Sequence, residues 1–293
     1  MSTPLLSVVI ANYNYGRFLS DAIDSVVAQH REEEVELIVC DGGSTDNSVD
    51  IIKRNEPHIA WWCSEKDGGQ SDAFNKGFSH AKGRFLTWLN ADDVFLPRTF
   101  EKLRNASERW PECEWFIAGC FWLDPEMRIF KCARARRMSR YRAQRGSINV
   151  CGPSSFFSRT LYEQVGRIDE RFQYTMDIDL WLRFALHANA RFKLFSNYGW
   201  GLRLHPSAKM SGHKFTSEGT ILEGAASREA FRKNQIRLEQ IQREKDWLRE
   251  KFPKVRWHLS RFMSLLTADY VPAMMSRYDT WRYRGQTLKD VIM

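Results

Sequence analysis

Near-continuous apolar runs alternate with amphipathic stretches along the first part of the chain. Leu5–Ala11 (LLSVVIA), Val35–Cys40 (VELIVC), Ile59–Cys63 (IAWWC), Phe85–Leu89 (FLTWL) and Trp115–Trp122 (WFIAGCFW) have the length and apolarity of strands buried on both faces. Helical patterns fill the intervals Phe18–Gln29, Asp46–Arg54, Ser71–His80 and Pro97–Arg109. Strand and helix in turn at this pitch predict βαβ units, hence an α/β domain with a mostly parallel central sheet flanked by helices. Glu126–Ser147 breaks the alternation and reads as a mobile or substrate-facing insertion. Regular structure resumes at Ser154–Phe157, in a short helix near Leu161–Val165, in a helix over Ile178–His187, and in closing strands at Arg191–Phe195 and Gly199–Leu204. Beyond Glu218, the residues Phe231, Leu238, Ile241, Leu248 and Phe252 fall on one helical stripe. Pro253 ends that helix, and a second spans Trp257–Tyr270. The pattern therefore divides into a domain over residues 1–217 and a helical extension over 218–293.

Charge sharpens this picture. The net charge of +8 is uneven: Arg128–Arg145 holds eight basic residues and no acid, and the segment from Ser227 to Met293 carries +7, which leaves the rest mildly acidic. Cationic segments of this kind face phosphate-rich partners or form a solvated helix face. No nucleic-acid reader motif accompanies them, so nucleic acid is not an expected partner. The tail also carries nine aromatic residues; it is expected to pack on its own domain, in a homodimer, or against a membrane face. Composition, 43% hydrophobic and 27% charged, excludes disorder and collagen-like repeats. Six cysteines without a CxxC pair, no leader-like start and no run approaching 18 apolar residues point to a reduced, cytoplasmic location without a membrane span, peripheral attachment apart.

Ligands of open parallel sheets bind beyond the carboxyl ends of the strands. Those ends read Asn12-Tyr13-Asn14, Asp41-Gly42-Gly43-Ser44, Ser64-Glu65-Lys66-Asp67-Gly68-Gly69 and Asn90-Ala91-Asp92-Asp93. Every one is polar, rich in glycine or acid. Asp41-Gly42-Gly43-Ser44 suits either a turn with a helix cap or a phosphate cradle of free N–H groups. Neither the GxGxxG nor the GxxxxGK[ST] spacing is present. Asp92-Asp93 suits either a helix cap or a divalent cation, since adjacent acids at a buried strand end call for positive charge.

The strings SVVIANYNYGRFLSDAIDSVVAQ, ELIVCDGGSTDNSVDII, WWCSEKDGGQSDAFNKGF and FLTWLNADDVFLP, in this order, resemble the inverting glycosyltransferases of family 2, which share the GT-A nucleotide-sugar-binding fold. The resemblance covers residues 5–205. It implies that Asp41 binds the nucleotide base, a uracil-like ring of a UDP-type donor, and that Ala11, Asn12 and Tyr13 line the same pocket. It further implies that Lys66, Asp67, Gly69 and Asn75 border the nucleoside and sugar. The family's Asp-x-Asp metal motif falls on Asn90-Ala91-Asp92: Asn90 keeps hydrogen-bonding capacity without charge, and Asp92 holds Mg2+ or Mn2+. His205 matches a further metal or phosphate ligand of some relatives, with a structural histidine as the alternative.

Tyr174-Thr175-Met176-Asp177 resembles the family's Glu-Asp motif with Met176 in place of its first acid, which makes Asp177 the general base or, on the plainer reading, a helix N-cap. Asp179 faces elsewhere and caps or pairs locally. The implied reaction is a single in-line displacement that moves a sugar from a nucleotide-diphosphate donor to a hydroxyl acceptor. The acceptor expected from the resemblance is a glycan or lipid-linked saccharide of cell-surface polysaccharide synthesis. The competing classes are a catalytically inactive nucleotide-binding or membrane-docked scaffold, to which Asn90 and Met176 speak, and a sugar nucleotidyltransferase, which lacks its basic glycine-rich loop here.

Overall fold

A computed structural model of the protein describes residues 3–29, 34–136, 143, 150, 152–172, 176–187, 191–205, 208, 215–216, 219–220 and 279–292. Strands β1 (Leu6–Asn12), β2 (Val35–Asp41), β3 (Trp61–Ser64) and β4 (Phe85–Asn90) alternate with helices α1 (Gly16–Val27), α2 (Ser48–Arg54) and α3 (Gln70–His80). They lie parallel in the order β3-β2-β1-β4. Each is apolar on both faces because helices cover both. Val8, Ile10, Leu37 and Val39 join one core with α1 and α2, while Val9, Ile38 and Cys40 join a second core with Phe74 and Phe78 of α3. Register aligns the strand ends: Asn12 opposite Asp41, Asp41 opposite Ser64, Ala11 opposite Asn90. The chain builds β2 and β3 on one side of β1 and then places β4 on the other, so the reversal point, where α/β sheets bind ligands, lies between β1 and β4.

The second half of the sheet is mixed. Beyond β5 (Val94–Phe95) and α4 (Thr99–Arg109) comes β6 (Trp115–Leu123), which runs parallel to β9 (Phe192–Arg203). On its other edge β6 pairs antiparallel with β8 (Ser155–Ser158) over Trp115–Ile117 and with β7 (Ile129–Ala133) over Cys120–Leu123. β8 joins this half to β4, also antiparallel. Two differences from the sequence reading follow. The segment expected as an irregular insertion contains β7, and the two closing strands are one strand, bent by register shifts against Ile117–Cys120. Residues 137–142 and 144–149, which include the rest of the basic cluster, lie outside the described residues, as do the helices expected over 231–252 and 257–270.

Helices α5 (Arg159–Gln164) and α6 (Met176–Leu186) pack over the second half. Trp181 of α6 stacks on Trp88 of β4, with ring centroids 5.0 Å apart and planes 2° from parallel, and lies 5.6 Å from Trp115. Truncating a buried aromatic of this kind costs about 3–5 kcal/mol. This stack sets where the first turn of α6 sits, and Asp177 lies on that turn. The end of the chain returns to the same half: residues 279–283 are helical and α7 spans Leu288–Ile292. Ile129 N–H donates to Gln286 O and Gly285 N–H donates to Ile129 O, both at 2.8 Å, while Leu288 is buried with Phe121, Leu123 and Ile129. The described end of the extension thus covers the outer edge of β7. Among the described residues, no helix is long and apolar enough to cross a membrane.

Candidate active site

A cleft of about 950 Å³ opens at the carboxyl ends of β1 and β4. One wall is polar: Ala11, Asn12 and Tyr13 after β1, Gly42 and Gly43 after β2, the turn Lys66–Gln70, and Asn90–Asp92 after β4. The glycines set its shape. Gly43 has φ +81°, and a Cβ on Gly42 would stand 2.9 Å from Asp67 Oδ2, so the 66–70 turn closes directly onto the glycine pair. Burial pushes the Asp67 carboxyl up against the N–H that Gly69 donates to it, and Asp72 adds repulsion.

Asp41 stands behind this wall, 1% exposed, and does not line the cleft. Its Oδ1 accepts from Asn12 Nδ2 at 2.6 Å and Ser44 Oγ at 2.5 Å; its Oδ2 accepts from Ser44 N at 2.9 Å and Ser64 Oγ at 2.6 Å. Burial raises the carboxyl, but these hydrogen bonds outweigh it and hold the group below the usual carboxylate range. The nucleotide base is the contact expected of Asp41, and these four bonds bear on that expectation. Four donors fill a carboxylate's four acceptor positions, so a base N–H reaching Asp41 would first have to displace one of them. Asp41 ties β1, β2 and β3 together and presents Asn12 to the cleft. Asn75, expected near the sugar, is likewise absent from the lining. Its amide donates to Ile168 O at 2.9 Å and to Glu170, and accepts from Tyr162 OH, which fixes the segment after α5.

At the β4 end, Asn90 is held at both ends: Gln70 Nε2 donates to its Oδ1 at 2.6 Å, and its Nδ2 donates to Asp93 Oδ2 at 2.7 Å. Asp93 is fully buried and also accepts from Arg203 N at 3.0 Å. Burial, then the neighbouring Asp92, push its carboxyl well above the ordinary range. Asp92 faces the cleft, with Oδ2 3.1 Å from His205 Nε2, and burial raises its carboxyl as well.

His205 is 3% exposed and packs against Phe18 at 4.3 Å between centroids. Arg17 Nη2 lies 3.1 Å from its Nδ1. A guanidinium only donates, so Nδ1 accepts and Nε2 carries the proton that is given to Asp92. Burial lowers the imidazole, which keeps it neutral. Both ring nitrogens are therefore engaged, and in this geometry the ring, expected as a metal or phosphate ligand, orients the Asp92 carboxylate.

No cluster of three His, Cys, Asp or Glu side chains is placed to hold a metal ion among the described residues. The donor chemistry fits a hard divalent cation that takes one carboxylate oxygen from Asp92 and most of its shell from ligand oxygens or water. Tyr15 also lines this end; burial, then Asp92, push its phenol up to about 12, so it remains a neutral donor.

The opposite wall is carbon-rich. Alternate residues of β6 and β9 face the cleft, Cys120 and Trp122 with Trp200 and Leu202, joined by Gly152, Pro153 and Met176. Asp177 lies among them, half-buried, with Ile178 N–H donating to its Oδ1 at 2.7 Å. Met176 fills the place of the absent acid, 6% exposed, with its sulfur 3.0 Å from Ser71 Oγ. Asp179 pairs with Arg183 at 2.8 Å, one helical turn on. Lys66 and Gly69 line the cleft as expected positions, while Gln70, Trp122, Gly152, Trp200 and Arg203 line it without having been singled out. Strand geometry puts Cys120 with Trp122 and Trp200 with Leu202 on one face, but β6 is apolar at almost every position, so the sequence carried no signal of which face meets the cleft.

Comparison with known proteins bears on the family and the fold. Residues 7–166 match the family model described as glycosyl transferase family 2. A glycosyltransferase of Mycobacterium tuberculosis is 32% identical over 193 residues, covering 63% of this chain and 70% of that protein. One of Rickettsia prowazekii is 28% identical over 191 residues, covering 62% of this chain; this chain spans 59% of that relative's length. Among solved structures, residues 1–349 of S. aureus TarS in complex with UDP-GlcNAc superpose with a TM-score of 0.57 at 15% identity, covering 72% of this chain and 62% of that one. A Pyrobaculum calidifontis mannosyltransferase in complex with GDP-Man and Mn2+ gives 0.50 at 18% identity, covering 72% and 59%. The fold is that of the GT-A glycosyltransferases, and with its family model matched across more than half its length, the chain belongs to glycosyltransferase family 2.

Proposed function

We propose that this protein is an inverting glycosyltransferase that moves a sugar from a nucleotide-diphosphate donor, of UDP type, to a hydroxyl acceptor on a glycan or lipid-linked saccharide of cell-surface polysaccharide synthesis. The observation that carries the reading is the pairing of Asp92 and Asp177 on opposite walls of one cleft large enough for both substrates. The complexes of TarS with UDP-GlcNAc and of the mannosyltransferase with GDP-Man support a nucleotide-sugar donor.

The polar wall takes the nucleotide. Asn12 and Tyr13 face the base, and the Gly42–Gly43 pair and the 66–70 turn allow close approach to ribose and phosphate. Asp92, held by His205, is the residue for Mg2+ or Mn2+, and such an ion supplies charge neutralisation at the leaving diphosphate. On the other wall, Asp177 accepts the proton of the acceptor hydroxyl as its oxygen bonds to the anomeric carbon. The bond from that carbon to the diphosphate oxygen breaks in the same step, with inversion and no covalent intermediate. The carbon-rich wall excludes water from the reacting centre.

The extension over 218–293 is the region for membrane or homodimer contact. Trp281, 77% exposed on a segment that also carries Arg282, Arg284 and Lys289, supports a peripheral membrane face. Co-sedimentation with anionic vesicles at low and high salt checks that part. The reaction itself is tested with Asp177→Asn. Transfer from a panel of UDP- and GDP-sugars should fall about 10²–10⁴-fold, as loss of a general base does, with UDP affinity retained. Transfer at the wild-type rate would remove Asp177 from the mechanism.

A further inference from the structure

β9 is irregular where it passes the cleft. Ala118 pairs with Ser196 and Cys120 with Trp200, so β9 uses four residue steps where β6 uses two. The extra pair forms a bulge over residues 197–199, and a bulge re-aims the side chain that leaves it. Here that side chain is Trp200, 4% exposed, on the cleft wall. A Cβ on Gly152 would stand 3.6 Å from Trp200 Cη2 and 3.9 Å from Asp177 Oδ2, so the indole edge and the carboxylate flank the same glycine.

The bulge is held from outside its ladder with β6. On one side Leu96 N–H, at 3.0 Å, and Thr99 Oγ1, at 3.1 Å, both donate to Gly199 O. On the other side the anchor is Tyr198. Its ring stacks on Phe121 with centroids 4.2 Å apart, and its hydroxyl donates to Asp279, 81 residues further along the chain. Burial, then the bond to Asp279, push the Tyr198 phenol up, so it stays a donor. Asp279 is 3% exposed, and its Oδ2 also accepts from Arg134 Nε at 2.6 Å. The next residue, Thr280, accepts at Oγ1 from Cys132 N of β7 at 2.9 Å.

We propose that Asp279 is a positioning residue for the reacting end of the cleft: through Tyr198 it fixes the β9 bulge, and the bulge sets Trp200 beside Asp177. For turnover, the proposal rests on the reading of Asp177 as the base. The rest of the layer behind this wall is apolar, with Phe121, Leu123 and Ile129 packed on Leu288. Apolar contact is non-directional and fixes how close two layers lie. A hydrogen bond to a buried carboxylate has a defined geometry and adds what that packing lacks. A carboxylate buried with an arginine is also weak evidence for stability in itself, because desolvation offsets its attraction. Its place at the bulge points to alignment of β9. Residues 279–292 then work as part of the catalytic domain, although the sequence pattern sets them in the extension.

The test uses the full chain labelled with 5-fluorotryptophan, with the fluorine resonances of Trp181 and Trp200 assigned by Trp→Phe substitution. Spectra taken well below each variant's thermal midpoint report geometry in the folded protein. Asp279→Ala, and Tyr198→Phe, which keeps the ring on Phe121, should each displace the Trp200 resonance by more than its linewidth or split it. Trp181, stacked on Trp88 in the other core, should not move. The double variant should match the single ones, because the two residues act as one link. UDP affinity should stay within about twofold, and transfer should fall about 10–10²-fold, as small misplacements at a reacting centre do. A Trp200 resonance unmoved in both single variants overturns the proposal, as do summed displacements in the double variant, Trp181 moving in step, or wild-type transfer with Trp200 displaced. The spectra need no turnover, so transfer that survives Asp177→Asn removes the base and leaves the link from Asp279 to Trp200 to be judged by the resonances.

Discussion

The two walls of the cleft are built on opposite principles. On the β1–β4 side, polar side chains hold one another: Asn12, Ser44 and Ser64 converge on Asp41, Gln70 holds Asn90, and Arg17 holds His205, which holds Asp92. On the β6–β9 side, alternate apolar residues present a surface with one carboxylate. The first arrangement is pre-organised for a charged ligand of constant chemistry, whose donors and acceptors can be satisfied in advance. The second suits a ligand recognised by shape, with a single hydrogen-bonded atom at the reacting point. On the function proposed above, donor recognition and acceptor choice are separable, and substitutions on one wall should leave binding on the other intact.

The largest effect that could break this separation is at Asp177. The 10²–10⁴-fold loss expected for Asp177→Asn corresponds to about 3–5 kcal/mol of barrier, and it should appear in transfer rate without a change in UDP affinity. A loss of UDP affinity of the same size would merge the two walls into one unit. Next comes Asp41→Ala, which leaves four donors from Asn12, Ser44 and Ser64 without their acceptor and should cost about 2–3 kcal/mol of stability, together with weaker UDP binding. Denaturant unfolding and UDP titration measure the two. The pH dependence has a definite sign. Asp41 has a native carboxyl below its ordinary value, so its stabilisation is fully present above the unfolded value of about 3.9 and is lost as pH falls through the lower native value. The stability gap between wild type and Asp41→Ala should hold steady above about pH 5 and close in strong acid.

A smaller effect separates Asp92 from its partner. Asp92→Asn should abolish the gain in UDP affinity produced by Mn2+, about tenfold or 1.4 kcal/mol if one carboxylate is lost from the ion. His205→Gln, which keeps an N–H donor for Asp92, should retain most of that gain. A histidine that itself bound the ion would make both variants equally insensitive to Mn2+, measured as the shift in thermal midpoint with UDP present.

The polar wall was largely legible in the sequence because parallel strands covered on both faces are written as apolar runs, and whatever follows each run must lie at the sheet edge. That logic located Asn12, Asp41, Lys66, Asp67 and Asp92 by position alone. It could not tell that Asp41 would face inward, since its partners Ser44 and Ser64 come from different places, the loop after β2 and the last residue of β3. Nor could it tell that Asn75 holds the backbone at Ile168, or that Arg17, 188 residues away in sequence, would set the tautomer of His205. The apolar wall was less legible. β7 buries only Ile129 and Cys132, with Phe130 and Lys131 both exposed between them, within a strongly basic segment, and Ser196–Asn197 interrupts the apolar pattern of β9 where the register shifts. Gly152, Asp177 and Trp200 belong to three segments whose meeting depends on β8 inserting antiparallel between β4 and β6, a topology that no local pattern encodes.

Asn90 offers the finest test of how the polar wall is balanced. At this position the family motif has an acid, and Asn90→Asp restores it. The site around it is set for an amide: Asn90 Nδ2 donates to the buried Asp93, and Gln70 donates to Asn90 Oδ1. An aspartate would turn the 2.7 Å donor contact with Asp93 into a meeting of two carboxyl groups, with Asp92 close by. Two carboxyl groups at that distance share a proton or repel. Asn90→Asp should therefore lower stability by about 1–2 kcal/mol at neutral pH, the range for an unmet buried polar pair, and the deficit should shrink as pH falls toward 5 and one carboxyl is protonated. The restored acid should add little to the Mn2+ effect on UDP affinity, because a shared proton occupies it. A variant as stable as wild type at pH 7.5 but bound tenfold more tightly by Mn2+ would show instead that the cleft accepts a second charged ligand at Asp93's expense, and that the amide at position 90 is not what balances this wall.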